Sequence, residues 1–334
     1  MEYFSKFESI KSVLIKGEVQ THHTLSVVIP TYNKPTALKR AIQSAIDQQD
    51  VSIDYNIVVV ENYEGEVDEV LSMLSSLSNP HNIQICYYKN EKNIGMHANW
   101  NRCFEMADAD YAIMLHTDDF FLPLCVHYAE AAIRKGIPVL TINRMSLRHG
   151  DTKIDSRIKS EEQKQVQELK HSNIPFYIEK PIDILVGIVP VAPTGFLANK
   201  GVFMSSGGFK TKEHTWPADL ELAFNLSREG KLFFCDRYLV VKTEGDGNDG
   251  SNLKSTVPLV KYDNELFHQV ANNLNIPFRK HIIGMRMAGI IRAFGIDYNP
   301  YMYGVFPEYY QNKYWRTLYR YLCKIQRRIM INRK

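Results

Sequence analysis

What most constrains this chain is a run of short apolar segments, each ending abruptly in polar residues, with amphipathic stretches between them. Leu25-Ser26-Val27-Val28-Ile29 reads as a strand stopped by Pro30-Thr31-Tyr32-Asn33-Lys34-Pro35. Ala37, Leu38, Ala41, Ile42, Ala45 and Ile46 then form one helical stripe. Ile57-Val58-Val59-Val60 ends in Glu61-Asn62, followed by a helix expected over 67–77 and a strand over 83–88. Asn90 to Gly95 is a turn, and Trp100, Cys103, Phe104 and Met106 mark a short helix. Tyr111 to Leu115 is the next strand, closed by His116-Thr117-Asp118-Asp119. The alternation predicts an α/β fold, a Rossmann-like, mostly parallel sheet flanked by helices.

In such sheets ligands bind outside the carboxyl ends of the strands, and three strands here end there in polar groups. A carboxylate pair at that edge is well placed to hold a cation. The plainer alternative is a turn in which Asp119 caps the helix after Pro123 or Asp118 bonds its own backbone.

The remaining chain divides by composition. Residues 138–142 read as a strand, and 150–173 as a charged, solvated helix or surface excursion. After Gly207-Gly208-Phe209, the run Trp216-Pro217-Ala218-Asp219 starts a helix and puts Asp219 in its first turn. Residues 232–241 are strand-like, and the acidic, glycine-rich 244–251 reads as a loop or lid without the spacing of a calcium site. Phe4, Phe7, Ile10, Val13 and Leu14 recur at helical spacing, so 1–24 is expected to be an N-terminal helical segment.

A C-terminal helical region is expected over 256–334. In it Trp315, Leu318, Leu322, Ile325 and Ile329 share one face, while Lys313, Arg316, Arg320, Lys324, Arg327 and Arg328 cover much of the rest. A basic amphipathic helix suits an anionic membrane surface, and packing on the protein's own domain is the competing reading. The net charge of +3 and the absence of any supporting motif give no reason to expect a nucleic-acid partner. Five cysteines, Cys86, Cys103, Cys125, Cys235 and Cys323, show no CxxC or Cys/His cluster, which fits buried thiols in a reducing compartment. With no apolar run near the ~20 residues of a membrane span and no leader-like start, a cytoplasmic protein is expected, peripheral on the inner face of the membrane.

The ordered set of these segments resembles the family 2 glycosyltransferases, inverting enzymes of the GT-A fold. Ser26 to Asn33 is similar to that family's opening strand and nucleotide-contacting turn, and Val59-Val60-Glu61-Asn62 to the strand whose aspartate meets the base. Asn93-Ile94-Gly95 with Asn99 and Asn101 resembles the segment before the metal motif. Asp118-Asp119 with Pro123 resembles the end of a DxD motif, and Gly207-Gly208-Phe209 followed by Asp219 the segment ending in the catalytic base. The chain departs from the pattern at His116, Glu61 and Ala218, where the family commonly has Asp, Asp and Glu, and it lacks a histidine near 242–251.

The resemblance implies that residues 25–255 form the GT-A domain, with a nucleotide-binding half over about 25–145 and an acceptor half over about 146–255. It implies Asp219 as general base, and Asp118, with Asp119, as contacts to a divalent cation, Mn2+ or Mg2+. Pro30, Thr31, Tyr32, Glu61, Asn62, Asn93, Gly95, Asn101, Thr117 and Asp118 are its implied nucleotide-sugar contacts. His97 and His116 lie near this site in sequence and read as neutral structural histidines. The implied reaction moves a sugar from a nucleotide sugar, UDP-linked in the first instance, to a hydroxyl of a glycan or lipid-linked glycan during surface-polysaccharide (O-antigen or capsule) synthesis. A nucleotidyltransferase is the runner-up, but 30–35 lacks its basic, glycine-rich loop. A catalytically silent nucleotide-sugar binder is the other alternative, against which both Asp118 and Asp219 are present.

Overall fold

The computed structural model describes residues 4, 6–18, 22–148, 154–169, 174–210, 217–244, 253–293 and 307–333. Its strands are β1 (Ser12–Lys16), β2 (His23–Thr31), β3 (Tyr55–Glu61), β4 (Ile85–Asn90), β5 (Ala109–Met114), β6 (Phe120–Phe121), β7 (Val139–Arg148), β8 (Tyr177–Ile178), β9 (Leu197–Asn199) and β10 (Leu232–Glu244). They form one sheet in the order β1-β4-β3-β2-β5-β9-β7-β10-β6, with β8 paired to β10. β2 runs parallel to β3 and β5, and β3 to β4. β9 is antiparallel to both β5 and β7, so β7 and its parallel neighbour β10 point the same way as β5. The carboxyl ends of β2, β3, β5, β7 and β10 therefore share one edge, which assembles the site.

The helices of the first part of the chain are α1 (Pro35–Ile46), α2 (Asp68–Ser75), α3 (Met96–Met106) and α4 (Cys125–Arg134). Those that follow are α5 (Ile154–Leu169), α6 (Pro181–Val186), α7 (Lys200–Ser205) and α8 (Ala218–Arg228). The C-terminal set is α9 (Leu253–Asn273), α10 (Arg279–Ala293), α11 (Pro307–Gln311) and α12 (Lys313–Ile331).

The strand pleat distributes the core over both faces of the sheet. Leu25, Val27 and Ile29 point toward Leu38, Ile42 and Tyr128 of α1 and α4, whereas Val28 joins Trp100 and Phe104 of α3 on the other side. Burial on both faces is why β2 and β3 read as near-continuous apolar runs. Val260, Phe267, Met287 and Ile291 of α9 and α10 belong to the same hydrophobic cluster as Phe104 and Phe224, so the C-terminal helices complete one face of the sheet.

The N-terminal helix expected over the first residues is not formed at 12–16, which is strand β1, antiparallel to β4 at the sheet edge. An unpaired edge offers a full row of backbone partners, and Ser12-Val13-Leu14-Ile15 alternates well enough to take them, with Ser12 Oγ donating to Asn90 Oδ1 at 2.6 Å. The sheet thus begins before residue 25. β7 and β10 both run further than expected. Trp216 and residues 245–251 of the glycine-rich loop lie outside the described residues.

α12 is amphipathic as expected but presents its faces differently. Trp315, Leu318 and Leu322 pack against the main apolar cluster, and Trp315 stacks on His281 with ring centres 5.5 Å apart. Tyr319 donates to Val186 O at 2.6 Å, Gln326 to Asp183 Oδ1 at 2.6 Å, and Arg327 to Asp236 Oδ1 at 2.6 Å. Ile325 and Ile329, expected on the same face as Trp315, are exposed beside Tyr314 and Tyr321. Among the described residues no helix is long and apolar enough to cross a membrane.

Candidate functional site

The end of β5 separates its two carboxylates. Thr117 Oγ1 donates to Pro30 O at 2.5 Å, tying this end to that of β2. Asp119 then turns inward. Its carboxylate accepts the Thr243 N–H at 3.0 Å and a bond from the Thr194 side chain, and burial pushes its pKa up to about 6. Those bonds join β5 to β10 and to the segment before β9, so Asp119, implied by the resemblance as a second metal contact, clasps the edge instead of facing it. Asp118 turns outward with its side chain 28% exposed, and Lys34 Nζ stands 3.1 and 3.2 Å from its two oxygens. Arg40 donates to the Asp118 carbonyl and to Thr243 Oγ1, its guanidinium 5.0 Å from the centre of the Phe120 ring.

Among the described residues no group of three or more His, Cys, Asp or Glu side chains converges as a metal cage. The donor set therefore fits Mn2+ or Mg2+ only as one outward carboxylate, Asp118, completed by substrate phosphates and water, a common arrangement for hard cations on phosphates. His116, where a first aspartate is usual in the resemblance, supplies no charge. Burial, together with Lys242, Arg144 and Lys34, presses its pKa down to about 3, and its ring lies 5.0 Å from that of Trp100. His97 packs on the same indole at 4.9 Å, as a structural histidine would.

Asp219 is in the first turn of α8, with acidic residues at the positive end of the helix. Burial raises its pKa above the usual carboxylate range, opposed by the Leu220 N–H and by the charges of Arg144 and Lys242. Asp263 of α9 is pushed up to about 7 by burial and by Asp219, with Arg286 opposing. Arg144 and Lys242 act on both His116 and Asp219, so the end of β5 and the start of α8 share one electrostatic environment. Neither cation is among the sequence candidates. The available signal was a basic residue just past each apolar run, 138–142 and 232–241.

On the nucleotide side, several expected contacts turn out to hold the scaffold. Glu61 is fully buried, and its carboxylate accepts the N–H groups of Asn33 at 3.1 Å and Tyr63 at 3.0 Å, with burial raising its pKa. It thereby fixes the turns after β2 and β3 to each other. Asn62 donates to Asn93 Oδ1 at 2.7 Å and accepts from Asn90 at 3.0 Å and from the Ile94 N–H at 3.0 Å. This net sets the 90–95 turn, whose Gly95, at φ 86°, leads into α3.

Asn101 pairs with the backbone of a single residue, donating to Phe209 O and accepting from the Phe209 N–H, both at 2.8 Å. A Cβ on Gly208, at φ +65°, would come within 2.5 Å of Asn101 Oδ1, so the approach requires glycine. Tyr32 is 51% exposed and meets Tyr63 edge-on at 5.5 Å, leaving an aromatic surface just past the ends of β2 and β3. Thr31 Oγ1, at the end of β2, is buried with no hydrogen-bond partner among the described residues.

The comparisons with known proteins bear on the family and the fold. The model of the glycosyl transferase family 2 matches residues 26–200, just over half of the 334 residues. Abequosyltransferase RfbV of Salmonella typhimurium is 28% identical over 95 residues, 28% of this chain and 28% of its own. The uncharacterized glycosyltransferase MJ1057 of Methanocaldococcus jannaschii is 30% identical over 100 residues, 30% of this chain and 33% of its own. The chain thus spans about three tenths of the length of the curated relatives it matches.

Among solved structures, Staphylococcus aureus TarS 1–349 in complex with UDP-GlcNAc is similar with TM-score 0.53 and 14% identity, over 81% of this chain and 73% of that one. The mannosyltransferase PcManGT of Pyrobaculum calidifontis, in complex with GDP-Man and Mn2+, is similar with TM-score 0.52 and 12% identity, over 97% of this chain and 93% of that one. At such identities the likeness establishes the fold, which is that of the GT-A glycosyltransferases.

Proposed function

Because this chain belongs to glycosyl transferase family 2, we propose that it moves one sugar, with inversion, from a nucleotide sugar to a hydroxyl of a glycan or lipid-linked glycan. The observation that carries the reading is an outward Asp118 at the end of β5 and a half-buried Asp219 at the start of α8, with Arg144 and Lys242 acting both on Asp219 and on His116, two residues before Asp118. Asp219 takes the proton of the acceptor hydroxyl. The hydroxyl oxygen bonds the anomeric carbon as the bond to phosphate breaks, and that electron pair leaves on the nucleoside diphosphate. Its raised pKa strengthens Asp219 as a base, and Arg144 and Lys242 keep the ionised form accessible. Asp118 would hold Mn2+ or Mg2+ against the diphosphate, and such an ion, when bound, neutralises the leaving group. Tyr32 and Tyr63 offer a face to the base, and Glu61 keeps their turns in register.

UDP-sugars are the first donors to test. A thermal-shift screen of UDP-, GDP- and dTDP-sugars with Mn2+ is expected to raise the melting temperature with one nucleotide class, and that class should yield product with a glycan acceptor. No shift and no turnover across the panel would overturn the reading. A role in O-antigen or capsule synthesis is supported by the short similarity to the abequosyltransferase.

The second part of the proposal is cytoplasmic, peripheral attachment to the inner membrane face through α12. Its exposed side carries Tyr321 (62% exposed) and Ile325 (53%) beside Arg320, Lys324 and Arg328, the mixture of amphipathic and cationic groups that suits an anionic bilayer surface. Tyr321→Asp combined with Ile325→Asp should cut co-sedimentation with phosphatidylglycerol vesicles severalfold while leaving transfer to a soluble acceptor intact. Unchanged sedimentation would show that α12 serves only to pack on the domain.

A further inference from the structure

The Asp118 carboxylate already has a cation on it, and that cation belongs to the chain. Lys34 immediately precedes α1, its carbonyl accepting the Leu38 N–H at 2.9 Å, so its backbone is fixed to the first turn of that helix. Its ammonium lies across both Asp118 oxygens at 3.1 and 3.2 Å. Arg40, also nearby, is directed elsewhere, since it bonds the Asp118 carbonyl and Thr243 and lies over Phe120. Asp119 offers Lys34 no alternative, its carboxylate being engaged by Thr243 and Thr194. The Lys34–Asp118 pair is part-exposed, with side chains 38% and 28% accessible. Pairs of this kind are weak and exchange readily.

We propose that Lys34 is a placeholder cation that exchanges partners during donor binding: it leaves the Asp118 carboxylate to a divalent ion and takes up an oxygen of the incoming diphosphate. This deepens the proposed function and rests on it. The exchange conserves charge at every stage. Before donor arrives, Asp118 is neutralised by Lys34. Afterwards Asp118 would hold the ion, which would supply the charge that offsets the phosphates, and the Lys34 ammonium, carried on the turn that opens α1, remains beside the group that brought the negative charge. A free divalent ion must displace Lys34 without that help, so the pair disfavours loading of the ion ahead of the nucleotide.

Lys34→Met removes the competitor for the carboxylate and the contact to phosphate together, so its two effects have opposite signs. Mn2+ binding without nucleotide, read by electron paramagnetic resonance, should tighten about threefold to fivefold. Binding of UDP or GDP without metal, read by calorimetry, should weaken by a similar factor. Lys34→Arg, which keeps the charge, should resemble the native protein in both. Global damage would weaken both ligands and overturn the proposal, as would unchanged Mn2+ binding in Lys34→Met. If the native protein still binds a nucleotide sugar in that case, the proposed function stands without the exchange. If no nucleotide sugar binds either protein, the function and the exchange fall together.

Discussion

Asp219→Asn is expected to lower transfer by about 10²- to 10⁴-fold, the range attributable to a positioned general base, while leaving donor affinity nearly unchanged. The amide is isosteric with the carboxylate and accepts no proton at neutral pH. It also preserves the first turn of α8, where Leu220, Leu222 and Phe224 are buried, so the variant should fold. The native pH profile provides an independent check. A base must be unprotonated to act, so transfer falls as pH drops through the Asp219 pKa. Burial raises that pKa, placing the acid limb above the ordinary carboxylate range. In Asp219→Asn this limb should disappear from the residual rate. Near-native turnover in the variant, with donor bound, would assign the base elsewhere.

Asp118→Asn is expected to reduce transfer by about 10²-fold or more, because holding charge on a leaving diphosphate is worth several kcal/mol. Its signature differs from that of Asp219→Asn. Mn2+ should no longer stimulate donor binding, and the dependence of rate on Mn2+ concentration should flatten. The substitution is nearly isosteric at a part-exposed position, and Thr117 and Asp119 on either side retain the bonds that fix the strand end. Full activity with an intact Mn2+ response would remove Asp118 from the site.

Much of this site could be read from the sequence because a sheet buried on both faces leaves an unusual trace. Val27-Val28-Ile29 and Ile57-Val58-Val59-Val60 are apolar without alternation, and each ends where the backbone turns polar. What could not be read depends on partners far away in the chain. The helical spacing from Phe4 to Leu14 coincides with a segment that becomes an edge strand at 12–16, because the open edge of β4 outweighs local periodicity. The resemblance implies Asn62, Asn93 and Asn101 as nucleotide-sugar contacts, but Asn62 bonds Asn93 and Asn101 bonds the backbone of Phe209, which no local pattern reveals. Arg144 and Lys242 meet at the site only because β7 and β10 pair in parallel. The face that α12 buries is set by Asp183 and Asp236, which wait on other elements for Gln326 and Arg327.

The amide of Asn101 has an architectural consequence. It spans 108 residues of sequence to hold the backbone of Phe209 against α3, a short strut between that helix and the segment leading to α8. The chain between them still threads the sheet through β5, β7 and β9, and the charged helix α5, between β7 and β8, is the branch of it that adds no strand. Such a branch can change its surface without altering the span between the ends of β2 and β3 and the approach to Asp219. On the proposed function, acceptor preference would drift in this branch while Asp118 and Asp219 keep their spacing, and grafting a different 154–169 segment should change which acceptor is used before it changes whether transfer occurs.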